Sequence, residues 1–230
     1  MIEIYATKIM GKIEKPIYDM LMAYLTYDKQ EMVKRFHRPE DAQRMLVADI
    51  LVRVIVCEKL GLKNKDLAFY KNEYGKPFLT NSDRFYFNVS HSGEWVICAA
   101  HNMPVGADIE IVQSIDYEIA KRFFSEHEYN DLMQKDALNR LSYFYDLWTL
   151  KESYIKAAGK GLSIPLDSFS IKKDRNGITI ETENEFRNCY FTQYYIDSNY
   201  KVAVCGCENC FSNEVIFNEV DDLNEEMKRF

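Results

Sequence analysis

Hydrophobic residues along this chain change their spacing several times, and each change marks an element. Ile2, Ile4 and Ala6 alternate with other residues, which predicts an opening strand within the first ten positions. From Pro16 the spacing turns helical, and two helices are expected there. The segment Pro39 to Leu60 is the clearest helix. Glu40 and Asp41 lie in its first turn, Leu46, Ile50, Val54 and Cys57 recur at three or four, and Gly61 ends it. Arg44 and Arg53 sit on its other side.

Between Leu67 and Ala100 the pattern shortens to β-like runs at 68–70, 85–89 and 95–100, separated by turn residues at 72–75 and 92–93. Val105 to Ile111 reads as a strand, while 119–134 and 139–158 read as helices. Strands are expected around 168–171, 178–182, 189–196 and 201–205. The order is helices then strands, and then strand, helices and strands again. It implies an α+β fold of two similar halves, 1–103 and 104–230, each a small sheet packed with helices, with the join near His101 to Pro104. The halves share no visible sequence repeat.

Composition narrows the class. With 47% of its 230 residues hydrophobic, the chain has the material for a substantial core. A formal charge of -7 argues against a surface built for nucleic acid. No apolar run approaches the ~20 residues of a membrane helix, and the first residues lack the basic and apolar regions of a secretory signal, so a cytoplasmic location is expected. Six cysteines are read as reduced thiols. Cys205, Cys207 and Cys210 cluster, but no fourth Cys or His stands at zinc-site spacing, the last histidine being His127.

Four segments hold candidate chemistry. Asp108 and Glu110 lie two apart on a strand, so they present two carboxylates to one face, an arrangement that suits Mg²⁺ or equally a solvated strand end. Glu152 and Lys156 lie four apart on a helix, as in a cation site or a surface ion pair. Ser90 and His91 sit where a strand runs into a turn. Adjacent strand residues face opposite ways, so a phosphate contact suits them better than a shared proton. The turn Tyr74-Gly75-Lys76-Pro77 offers close backbone approach at its glycine and a cation for a phosphate.

Together and in order, these segments resemble the surfactin-synthetase-activating (Sfp-type) 4'-phosphopantetheinyl transferases. The resemblance rests on 74–77, Phe87-Asn88-Val89-Ser90-His91-Ser92, Gly106-Ala107-Asp108-Ile109-Glu110, Trp148 to Lys156, and 159–170. It implies a pseudo-symmetric two-half fold that binds coenzyme A and Mg²⁺ at the cleft between the halves. On it, Asp108, Glu110 and Glu152 are the metal carboxylates and Lys156 is the cation beside the reacting phosphate; Glu152, or a water that it orders, is the candidate proton acceptor. Ser90 and His91 contact phosphates, Lys29 and Arg44 grip the 3'-phosphate, and Tyr74, Gly75, Lys76 and Pro77 edge the adenine pocket. Met32 stands where members often carry a second lysine, with Lys34 and Arg35 nearby.

The implied reaction transfers the phosphopantetheine arm of coenzyme A to a serine of an acyl or peptidyl carrier protein of fatty acid, polyketide or nonribosomal peptide synthesis. The leaving group is adenosine 3',5'-bisphosphate. A carrier helix is expected to dock at 119–132, where Phe123 and Phe124 are adjacent and Lys121 and Arg122 suit an acidic partner. Two related halves in one chain make a monomer sufficient for the cleft. A Mg²⁺-dependent phosphodiesterase acting on a nucleotide, and an idle carrier-binding module, are the rival readings.

Overall fold

A computed structural model describes residues 1–82 and 84–230. The first half opens with β1 (Ile2–Lys8) and runs through α1 (Lys15–Ala23) and α2 (Tyr27–Lys34) into the long α3 (Pro39–Leu60). A small hairpin, β2 (Phe69–Lys71) and β3 (Pro77–Leu79), precedes the main hairpin of β4 (Tyr86–Ser92) and β5 (Trp95–His101). The second half repeats the order. It comprises β6 (Val105–Ile111), α4 (Glu118–Phe123), α5 (Glu126–Gln134), the long α6 (Ala137–Ala158), a small hairpin of β7 (Ser170–Asp174) and β8 (Gly177–Glu181), then β9 (Tyr190–Tyr194) and β10 (Tyr200–Gly206).

The pairing repeats too. β1 pairs antiparallel with β5 and β5 with β4; β6 pairs antiparallel with β10 and β10 with β9. Each 22-residue helix ends at a left-handed glycine, Gly61 at φ 65° and Gly159 at φ 73°, a conformation that other residues adopt only at a cost. The α+β class with a small sheet and helices in each half is thus the observed architecture.

Period-two alternation sorts the side chains into four layers. Ile2, Ile4, Ala6, Ile97 and Ala99 on one sheet pack against Val105, Ala107, Ile109, Val202 and Val204 on the other. The opposite face of the first sheet, with Tyr5, Phe87 and Cys98, receives α3. The opposite face of the second, with Ala203 and Cys205, receives α6. The layers run helix, sheet, sheet, helix.

The sequence pattern misplaced three features. The helix expected over 119–134 is broken into α4 and α5, because Ser125 caps α5 in a reciprocal pair with Glu128. α6 starts two residues before Asn139, where the Asp136 carboxylate accepts from the Leu138 and Asn139 amides. Residues after 206 return to the first half: β11 (Phe211–Asn218) pairs parallel with β1, and α7 (Val220–Met227) places Leu223 and Met227 in the α3 core. The span 104–230 therefore contributes to both sheets.

Candidate functional site

The site forms where β4, the edge of the first sheet, lies beside β6, the edge of the second. Side chains at alternate positions of β4 join the two edges. The Asn88 carbonyl oxygen accepts from the Ala107 amide at 2.8 Å, and the Ser90 hydroxyl donates to Asp108 Oδ1 at 2.9 Å. Ser92 donates to Glu110 Oε2 at 2.9 Å and accepts from the Ile111 amide at 3.1 Å. Asn88 and Ser92 had no role in the sequence reading. Their period-two spacing from Ser90 is the signal that finds them.

On β6, the apolar residues Val105, Ala107 and Ile109 face the other sheet. Alternation then turns Gly106, Asp108 and Glu110 toward α6. Gly106 permits the approach: a Cβ there would strike the Ser153 carbonyl oxygen and the Ala157 backbone nitrogen. That seating places Lys156 Nζ 2.6 Å from Asp108 Oδ1 and 3.0 Å from Ser90 Oγ. Beside Glu152, α6 is locked by Lys151. Its ammonium, fully buried, donates to both Glu128 oxygens at 2.7 and 2.6 Å and to the Phe169 carbonyl at 2.8 Å. Lys151 fixes the helix from behind while Glu152 and Lys156 face the site.

The three carboxylates share one electrostatic problem. Burial raises the Asp108 carboxyl above its usual range, against the pull of Lys156 and Ser90. Burial and then the Asp108 charge raise Glu110. Burial, then Asp108 and Glu110, push Glu152 up to about 7 despite Lys156. Asp108 Oδ2 is buried without a hydrogen-bond partner. The oxygens of the three acids are not gathered within 4.8 Å of one another among the described residues. Like charges separate, and Asp108 and Glu110 each turn an oxygen to a β4 serine.

The cations stand on the other flank. Arg44 of α3 donates to the Gly93 carbonyl at 2.7 Å and pairs with Asp41, beside a cleft of about 370 Å³ that it helps line with Pro39, Gln43 and Gly93. His91 points away from Ser90, as alternation requires. The ring is exposed at one side, and partial desolvation disfavours its imidazolium first, then the nearby charges of Arg44 and Lys156. A larger cleft of about 790 Å³, lined by Lys8, Trp95 and Phe217 among others, includes none of Asp108, Glu110 and Glu152.

Two expected contacts are engaged elsewhere. Lys29 Nζ pairs with Asp49 at 2.6 Å, and Asp49 also binds Arg53, so Lys29 and Arg44 each have a separate carboxylate partner. Lys76 is buried, and its ammonium donates to the Val105, Lys156 and Ala157 carbonyls at 3.0, 2.6 and 3.3 Å. Its three protons are spent on backbone, which corrects the reading of Lys76 as a free phosphate cation. The turn it belongs to is stapled to the end of α6, with Asn72 Nδ2 donating to the Gly159 carbonyl at 2.7 Å. This sets Tyr74, Gly75 and Pro77 beside the end of the catalytic-candidate helix. Tyr74 is exposed there.

Comparison with known proteins decides the family. Residues 14–103 match the model "4'-phosphopantetheinyl transferase, N-terminal", and 104–205 match "4'-phosphopantetheinyl transferase superfamily". The chain belongs to the 4'-phosphopantetheinyl transferases.

Within this family the chain is 43% identical over 206 residues to the transferase Sfp of Bacillus subtilis, covering 89% of this chain and 92% of that protein. It is 39% identical to the transferase gsp of Aneurinibacillus migulanus, covering 93% and 88%. Among solved structures, a holo-(acyl-carrier-protein) synthase from Bacillus anthracis in complex with CoA (3',5'-ADP) aligns with 45% of this transferase and 93% of its own chain, at 19% identity and a TM-score of 0.40. In the transferase described here, the residues brought together on β4, β6 and α6 are Ser90, Ser92, Asp108, Glu110, Glu152 and Lys156.

Proposed function

We propose that this transferase moves the phosphopantetheine arm of coenzyme A onto a serine of an acyl or peptidyl carrier protein, with Mg²⁺ held by Asp108, Glu110 and Glu152. One observation carries the metal reading: Asp108 Oδ2 is a buried carboxylate oxygen without a partner, beside two acids whose ionisation burial and its own charge oppose. An all-oxygen donor set of this charge fits Mg²⁺. When bound, the ion supplies charge stabilisation for the pyrophosphate and the departing nucleotide.

The chain's own groups do the rest. Arg44 and His91, on the α3 side of β4, bind phosphate oxygens of coenzyme A, and Lys156 holds a positive charge beside the reacting phosphorus. The carrier serine Oγ bonds to the phosphorus that bears pantetheine, and the bond from that phosphorus to adenosine 3',5'-bisphosphate breaks. The serine proton passes to Glu152, directly or through one water that it orders. Ser90 and Ser92 orient Asp108 and Glu110 through the bonds described above.

The carrier docks on α4. Phe124 is buried and stacks on Phe144 at 5.2 Å, which leaves Phe123, half-exposed under Arg122, and the exposed Ile119 to meet a partner. Lys121 and Arg122 complement an acidic carrier. No helix among the described residues is long and apolar enough to cross a membrane. Incubation with coenzyme A and Mg²⁺, with and without apo carrier, tests the reading. Nucleotide release only when carrier is present supports it, and equal release without carrier makes the protein a phosphodiesterase.

A further inference from the structure

The fold supplies what the cysteine cluster lacks in sequence. His101, at the end of β5, meets Glu208 and Cys210 from the turn between β10 and β11. Its Nε2 stands 3.5 Å from Cys210 Sγ and 3.7 Å from Glu208 Oε2, and the thiol and that carboxylate oxygen are 3.6 Å apart. The His101 side chain is 2% exposed and its Nδ1 is buried without a partner, whereas Glu208 is half in solvent. The turn is tied down on two sides: the Ile2 amide donates to the Cys210 carbonyl at 2.8 Å, and Cys207 Sγ donates to the Pro104 carbonyl at 3.6 Å.

We propose that His101, Glu208 and Cys210 form a zinc-class metal site, separate from the carboxylate site and made of softer ligands. The triangle has the right size. Tetrahedral Zn²⁺ with bonds of about 2.3 Å to sulfur and about 2.0–2.1 Å to nitrogen and oxygen requires ligand edges of about 3.6 Å to sulfur and about 3.3 Å between nitrogen and oxygen. The three observed edges agree with this to within a few tenths of an ångström.

Hydrogen bonding alone serves the triangle poorly. In the tautomer that ligates through Nε2, with the proton on Nδ1, the thiol hydrogen is the one proton left among three lone-pair atoms, and it satisfies one acceptor. A cation serves all three at once and releases the thiol proton to water. The solvent-facing side of Glu208 leaves room for a water as fourth ligand. The site is separate from the chemistry: His101 pairs with Tyr86 and Ile97 with Ser90, so four residues at ~3.3 Å put about 13 Å between His101 and Ser90. A bound ion there clamps the β10–β11 turn, and with it the returning tail, to the linker between the halves.

Co²⁺ titration of the reduced full chain tests this, because thiolate-bound cobalt shows a charge-transfer band that oxygen-bound cobalt lacks. The expected result is a band saturating at one equivalent and unaffected by tenfold excess Mg²⁺. It is lost in Cys210→Ser, weakened at least tenfold in affinity in Glu208→Gln, and kept in Cys207→Ser. Zn²⁺ should displace the cobalt and raise the Tm of the wild type by several degrees, but not that of Cys210→Ser. Absence of the band, its persistence in folded Cys210→Ser, or an undiminished cobalt affinity in Glu208→Gln overturns the proposal. If Cys210→Ser is shown unfolded by circular dichroism, the half-exposed Glu208→Gln decides alone.

Discussion

Lys156 Nζ lies 2.6 Å from Asp108 Oδ1, while the other oxygen of that carboxylate is buried with no partner. One half of Asp108 is thus neutralised by the helix and the other half is available to a cation. The same contact joins the last turn of α6 to β6, so the geometry of the site depends on how the helix seats on the strand.

Asp108→Asn and Glu152→Gln should each lower transfer to apo carrier by on the order of 10³-fold, the scale of losing preorganised charge stabilisation. Neither should lower the Tm, because each removes a charge that burial opposes. Initial rates and circular dichroism melts check the two halves of this expectation. Full activity in either variant would remove that residue from the site.

The pH dependence of stability follows from Glu152, whose carboxyl rises from 4.5 to about 7 on folding. The folded state holds the proton that the unfolded state has lost, so this stabilisation is complete below pH 4.5 and gone above pH 7. Asp108 and Glu110 shift in the same direction. Metal-free protein should lose on the order of 2 kcal/mol between pH 5 and 8, after allowance for solvent access. Mg²⁺ should restore Tm at pH 8 and do little at pH 5, and Glu152→Gln should flatten the slope. A Mg²⁺ effect equal at both pH values would count against the carboxylate site.

Arg44→Ala should raise the KM for coenzyme A by roughly tenfold, as expected for one phosphate-pairing guanidinium. The rise should be smaller with 3'-dephospho-coenzyme A. Equal increases on the two substrates would mean that Arg44 does not read the 3'-phosphate.

Gly106→Ala tests the seating of α6. The new methyl meets helix backbone, which cannot rotate away as a side chain would, so α6 must move off β6. A displacement near 1 Å at Lys156 and Glu152 should cost kcat about 10²-fold. KM for coenzyme A should change much less, since Arg44 and His91 belong to the other half. Unchanged kcat would show that close packing at Gly106 does not position the site.

Local signals are legible in the chain. Pro39 and Gly61 bracket α3, and the alternation of Val105 to Ile111 defines β6 and the shared face of Asp108 and Glu110. Partnerships across the chain are not. Lys151 and Glu128 form their buried pair from different helices, and nothing in a Lys-Glu dipeptide says that the lysine points inward. Lys76 looks like a surface cation until its three carbonyl acceptors are known. β11 exposes much of its length, which blurs its pattern, and its partner β1 is some two hundred residues away. His101 and Cys210 meet across 109 positions, beyond any motif spacing.

Transfer of an intact phosphopantetheine arm to a carrier serine is open to intact-protein mass spectrometry of an apo carrier panel. After incubation with coenzyme A and Mg²⁺, each carrier should gain one arm, a gain absent with Asp108→Asn and absent when the carrier serine is replaced. Unmodified carriers across acyl and peptidyl types, with the wild-type protein folded and Mg²⁺ present, would contradict it.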